Sequence, residues 1–175
     1  MNKKVIYTSV FGNYDDLYYQ EYIPDGFDLV IFTDSDLKSD QWKVIKCSPL
    51  YRYLNEYETS IYVDGNFVIK SDLNNLLTNL KNCNAAFYDH KQCKLDPRNC
   101  IYQEAAAIKW LYEINQSPNK VPKDNLDIIQ KQVNKYNQLG FPQNIGLICG
   151  GVIIRMHNEL DCIKTMEDWW TEIKY

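Results

Sequence analysis

The chain has 175 residues, 45% of them hydrophobic, which suits one domain with a sizeable core. A net charge of −4 excludes the basic face that non-specific nucleic-acid binding needs. No apolar run reaches the ~18 residues of a membrane span, and Met1-Asn2-Lys3-Lys4 does not open a signal peptide, so a cytoplasmic protein is expected.

In chain order, the first element is a strand over Lys4–Val10, β-branched and aromatic, broken at Gly12-Asn13. Further strands are expected at Asp28–Thr33, Trp42–Ile45 and Thr59–Val63. Leu73, Leu76, Leu77 and Leu80 follow at helical spacing. A short strand over Ala85–Tyr88 comes next. Asp96-Pro97 then signals a helix start, with Ile101, Ala105, Ile108 and Tyr112 on one stripe. Pro122-Lys123-Asp124 opens another helix, with Leu126, Ile129, Val133 and Tyr136 on its face and Gly140 after it. The segment from Gln138 to Gly151 reads as a glycine-bearing loop, long enough to line a site. A sixth strand over Gly151–Arg155 and a helix carrying Ile163, Met166, Trp170 and Ile173 complete the series. Strands without strict alternation, separated by helices, predict a mixed, mostly parallel α/β sheet covered on both faces.

Tyr62-Val63-Asp64-Gly65-Asn66 is the most informative stretch. A buried strand ends in a carboxylate, and a second oxygen-bearing side chain follows two residues later. Ligands of open α/β sheets bind at that end of the strands. Two hard oxygen donors suit Mg²⁺ or Mn²⁺, ions that usually accompany phosphates. The same residues also suit a turn that caps a helix beginning near Ser71.

Glu104 lies on the apolar stripe of its helix, three residues after Ile101 and four before Ile108. A carboxylate there is paired, metal-linked, at a cleft edge, or on the wet margin of a narrow stripe. Asp34 and Asp36 follow the second strand and suit either a base or ribose contact or a turn. Thr8, Ser9, Gly12, Asn13 and Tyr14 end the first strand, where a doubly wound sheet meets a nucleotide. His157 and Arg155 follow the sixth strand, where a metal ligand or a bidentate phosphate contact is useful; Arg98 has the same capacity. Structural roles remain open for each.

Several chemistries lack their residues. There is neither a dinucleotide-binding Gly-x-Gly-x-x-Gly nor a P-loop. No Gly-x-Ser-x-Gly occurs, and no Cys–His–acid set supports covalent hydrolysis. The six cysteines include no Cys-x-x-Cys pair. His90, Cys93 and Cys100 are near enough in sequence for zinc, but reduced buried thiols are the simpler reading.

Six segments carry a resemblance in order. They are Val5-Ile6-Tyr7-Thr8-Ser9-Val10-Phe11-Gly12-Asn13-Tyr14-Asp15, Val30-Ile31-Phe32-Thr33-Asp34, Ser60-Ile61-Tyr62-Val63-Asp64-Gly65-Asn66, Arg98-Asn99-Cys100-Ile101-Tyr102-Gln103-Glu104-Ala105, Gly151-Val152-Ile153-Ile154-Arg155-Met156-His157-Asn158 and Trp169-Trp170-Thr171-Glu172-Ile173. Together they resemble the TOD1/MUCI70-type glycosyltransferase-like family, once filed as a domain of unknown function. The resemblance implies a GT-A-like sandwich over residues 1–175. It also implies transfer of a sugar, hexosyl or deoxyhexosyl, from a nucleoside-diphosphate sugar to a glycan or other hydroxyl acceptor, with Mn²⁺ or Mg²⁺.

On that resemblance, Asp64 and Asn66 stand at an Asp-x-Asp-type motif that holds metal and ribose, with His157 as a further metal ligand. Thr8, Ser9, Tyr14, Asp34, Arg52, Asp64 and Arg155 line the donor site, and Glu104 is the catalytic carboxylate. Three departures stand out. Asn66 replaces an acid, and the stretch between Cys47 and Tyr57 is shorter than the family pattern, leaving Arg52 of its basic residues. An Arg-Asp-Gln segment expected past the tryptophan pair is also missing from this chain. The alternative is therefore a non-catalytic nucleotide- or glycan-binding relative. A sugar nucleotidyltransferase fits less well, because its Gly-rich basic first loop is absent.

Overall fold

A computed structural model describes residues 3–12, 15–46, 54–114 and 125–173. The backbone forms a six-stranded sheet in the order β3-β2-β1-β4-β6-β5. The strands are β1 (Lys4–Val10), β2 (Phe27–Thr33), β3 (Lys43–Lys46), β4 (Thr59–Val63), β5 (Ala85–Asp89) and β6 (Ile148–Arg155). β1 pairs in parallel with both β2 and β4, and β2 pairs in parallel with β3. β6 runs antiparallel to β4, with Val63 opposite Val152 and Ser60 opposite Arg155. The fold is α/β, with a mixed, mostly parallel sheet.

The order of the strands creates a switch point. From β1 the chain winds outward through β2 and β3, then returns to place β4 on the other side of β1. The C-terminal ends of β1 and β4 therefore lie side by side, and the loops leaving them diverge.

Alternation along the strands divides the core. One face carries Ile6, Leu29, Ile31, Trp42, Ile61, Val63 and Ile154. Leu73, Leu76, Leu77 and Leu80 pack on it from the segment Asn74–Leu80, which forms a 3₁₀ helix. Its N-cap position is Leu73, which offers no side-chain oxygen, so nothing local favours a longer α-helical start. The opposite face carries Val5, Tyr7, Val30, Phe32, Leu54 and Tyr57. Each fully buried Ile or Phe of these sets contributes about 1.5–3 kcal/mol by leaving water. The last helix, α3 (Leu160–Ile173), sets the Trp169 ring 6.3 Å from that of Phe87, edge to face.

The chain divides into two compact units, Met1–Tyr88 with Gly150–Tyr175, and Asp89–Cys149. The second contains α1 (Ile101–Ile114) and α2 (Leu126–Gln138). α1 begins several residues after the expected Asp96-Pro97 signal. Asp96 is drawn into an ion pair with Arg98 instead of capping. The Gln103 side chain supports the true start by accepting from Asn99 N at 2.9 Å. α2 is capped by Asn125, whose side chain accepts from Asp127 N and Ile128 N, and it ends before Gly140 at φ +69°. Pro122, Lys123 and Asp124 lie outside the described residues.

β6 also starts earlier than expected, at Ile148. Cys149-Gly150-Gly151 reads as loop in the sequence. Gly151, however, faces Phe67 and Asp64 so closely that a Cβ would come within 2.9 Å of the ring and 3.0 Å of Asp64 Oδ2. Glycine is in this strand because another segment needs the space.

Candidate functional site: an acidic turn at the switch point

Asp64 directly follows β4, at the C-terminal end of the strand and beside the end of β1. The turn is held by the backbone. Asp64 N donates to Gly151 O at 3.1 Å, and Phe67 N donates to Asp64 O at 3.0 Å. Gly65 permits the close approach of the loop after β1, since a Cβ there would come 2.8 Å from Val10 Cγ2. Tyr18 N then donates to Gly65 O at 3.1 Å.

Gln20 locks this loop from behind. Its fully enclosed amide donates to Tyr18 O at 2.8 Å and Phe67 O at 3.1 Å, and accepts from Ile69 N at 2.8 Å. The bonds to Phe67 and Ile69 join the segment after β1 to the segment after β4. A buried glutamine in a loop has no periodic sequence signal, so this positioning residue escapes sequence analysis.

The Asp64 side chain is half-buried. Tyr62 OH donates to its Oδ1 at 2.9 Å. Burial first, then the charges of Asp64 and Asp15, push the Tyr62 phenol well above its ordinary range, so it remains a proton donor at all physiological pH. Its ring packs on Tyr7 with centroids 5.4 Å apart. Asp15 is a second carboxylate at this turn, its Cβ 3.6 Å from where a Gly65 Cβ would lie. Asn66 is exposed on the same turn.

The other expected donor-site residues divide. Ser9 is half-buried near the end of β1. Asp34, at the end of β2, uses both carboxylate oxygens on Gly12 N, at 3.1 and 3.0 Å. It fixes the loop after β1, where Gly12 has φ +60°, a conformation that favours glycine. Thr8 is fully buried within the sheet, so it cannot line a pocket. Tyr14 and Arg52 lie outside the described residues.

Arg155 ends the sixth strand and His157 follows it, as expected. β6 is antiparallel, so its C-terminal end lies by the start of β4, with Arg155 opposite Ser60. Four residues of strand, roughly 13 Å, separate that position from Asp64. The Arg155 guanidinium itself reaches over the Tyr7 ring, 5.5 Å from its centroid, beside the Tyr62 ring that Tyr7 contacts. His157 Nε2–H donates to Leu54 O at 2.7 Å. Burial holds the His157 pKa below its ordinary value, and the nearby Arg155 charge adds to this.

Glu104 belongs to the second unit, in the first turn of α1. Of the openings for this residue, pairing is the one realised. Arg98 Nε donates to Glu104 Oε2 at 2.6 Å, and the same guanidinium meets Asp96 and His90 Nε2. His90 and Cys100 thus sit in a polar and a buried setting respectively, and no cluster of three or more His, Cys, Asp or Glu suited to a metal occurs among the described residues.

No protein-family model matches the sequence, and no curated protein sequence is significantly similar to it. No helix among the described residues is long and apolar enough to cross a membrane.

Proposed function

We propose that the chain is a GT-A-like glycosyltransferase domain that uses a nucleoside-diphosphate sugar and a divalent cation, Mn²⁺ or Mg²⁺, to glycosylate a hydroxyl acceptor. The observation that carries this reading is the acidic Asp64 turn at the C-terminal end of β4, where the strand order reverses beside β1. The ordered motifs noted above give it the same direction.

The donor set fits a metal–diphosphate better than a metal alone. The turn offers the Asp64 carboxylate and the Asn66 amide, with Asp15 close by. A protein that supplies only one or two hard oxygens suits Mg²⁺ or Mn²⁺ whose remaining ligands are phosphate oxygens and water. When bound, the ion would neutralise charge on the departing diphosphate. Asp64 and Asn66 would hold it and the ribose. Ser9 and the Gly12 loop, fixed by Asp34, would line the nucleotide side.

One observation favours a second reading, a non-catalytic nucleotide- or glycan-binding relative. Arg98 already occupies one oxygen of Glu104, and Asn66 is neutral where an acid would bind metal more strongly. Release of free nucleoside diphosphate from UDP-, GDP- and dTDP-sugars separates the two. Mn²⁺-dependent release that disappears in Asp64→Ala supports the transferase. Donor binding without any release supports the binding module.

A further inference from the structure

Phe67 belongs to the same turn as Asp64, and its backbone is fixed at both ends. Phe67 N donates to Asp64 O at 3.0 Å, and Phe67 O accepts from the Gln20 amide at 3.1 Å. The ring is fixed as well. Its tip lies on Gly151 of β6, where a Cβ would come within 2.9 Å of Cζ and 3.5 Å of Cε2. Glycine in this strand is therefore the seat of the ring. Yet Phe67 remains 38% exposed, so an anchored aromatic ring leaves apolar surface facing water. The strand order also separates the two sides of Asp64. β1 and β2, with Ser9 and the Gly12 loop, lie on one side of β4; β6, with the Phe67 seat, lies on the other.

We propose that Phe67 is the stacking platform for the pyranose ring of the donor sugar. The inference rests on the donor-site reading given above. In that reading the nucleoside takes the β1–β2 side and the diphosphate lies at the Asp64 turn. The sugar is bonded directly to the diphosphate, so it extends to the remaining side, over Phe67. A pyranose presents a face of C–H groups, and an immobilised aromatic ring favours that face through dispersion and weak C–H contacts. Hydroxyls at the sugar's rim stay free for water and polar groups. Such a platform favours a ring-shaped sugar at this position and is indifferent to the base.

Phe67→Leu and Phe67→Tyr test this. Leucine keeps an apolar side chain on the Gly151 seat without an aromatic face, and tyrosine keeps the ring. Affinities for UDP, GDP and dTDP, bare and as sugar conjugates, are measured by calorimetry in Mn²⁺, with urea unfolding recorded beside them. In Phe67→Leu the preferred sugar donor should lose roughly fivefold in affinity relative to its bare diphosphate, the scale of one aromatic contact. Phe67→Tyr should keep the wild-type ratio. A ring that only packs the turn would affect both ligands alike or neither. An unchanged ratio in Phe67→Leu, or the same loss in Phe67→Tyr, therefore overturns the inference and leaves the donor site standing. If wild type binds no nucleotide or sugar nucleotide in Mn²⁺, the donor-site reading itself fails, and this inference with it.

Discussion

The two ends of the parallel strands are built from similar residues and treat them in opposite ways. At the C-terminal ends of β1 and β4, Asp64 is half-buried, one oxygen is engaged and the other lies against a glycine. At the other end, Ser60 Oγ, Arg155 Nε and His157 Nδ1 are enclosed without hydrogen-bond partners among the described residues. Polar residues at both ends look equally functional in a sequence, and strand direction decides at which end each lies.

The largest expected effect is at Asp64. Asp64→Ala should weaken metal-dependent donor binding by about a hundredfold, as befits loss of a charged ligand contact, whereas Arg155→Ala should leave it unchanged. Equal losses in both variants, measured by calorimetry, would erase the distinction between the ends.

Gly65→Val comes next. Even its Cβ would meet Val10 Cγ2 at 2.8 Å. Overpacking of this kind costs about 1–3 kcal/mol, to be read from urea unfolding. Gly151→Ala should act more locally. Its methyl meets Asp64 Oδ2 and the Phe67 ring, so donor affinity should fall roughly tenfold while stability changes by less than about 1.5 kcal/mol.

The far end should answer to pH instead. The folded-state pKa of His157 is lowered from 6.5 by burial. The unfolded chain therefore binds its proton first as pH falls. Stability from the neutral imidazole is intact above pH 6.5 and is lost as pH drops through 6.5 toward the folded value. Urea midpoints taken from pH 7.5 to pH 5 should fall less steeply in His157→Gln than in wild type. Parallel slopes would show that His157 is not the group responsible. Arg155→Met should have the smallest effect, a stability change within about 1 kcal/mol, because it removes a desolvated cation with no carboxylate partner among the described residues.

Much of the fold was legible in the residues. Lys4–Val10 and Thr59–Val63 stand out because β-branched and aromatic runs end sharply at turn residues. Helical spacing also located α1, α2 and α3. The direction of β6 was not legible, since no local pattern distinguishes a parallel from an antiparallel strand buried on both faces. That one property sets the Arg155 backbone opposite Ser60, at the start of β4. Thr8 looked available because it lies near a strand end, yet neighbours on both sides enclose it. Asp34 was legible as a polar strand end, but its grip on Gly12 N depends on the parallel pairing of β1 with β2. Gln20 carried no signal at all, because its partners are backbone atoms of its own loop and of the segment after β4.

The central claim is that the Asp64 turn binds a metal–diphosphate. Calorimetric titration of the wild-type chain with UDP-, GDP- and dTDP-sugars, with and without Mn²⁺, tests it most directly. The account predicts saturable binding of at least one donor that depends on the metal. Absence of binding by all three in the presence of Mn²⁺ would contradict it.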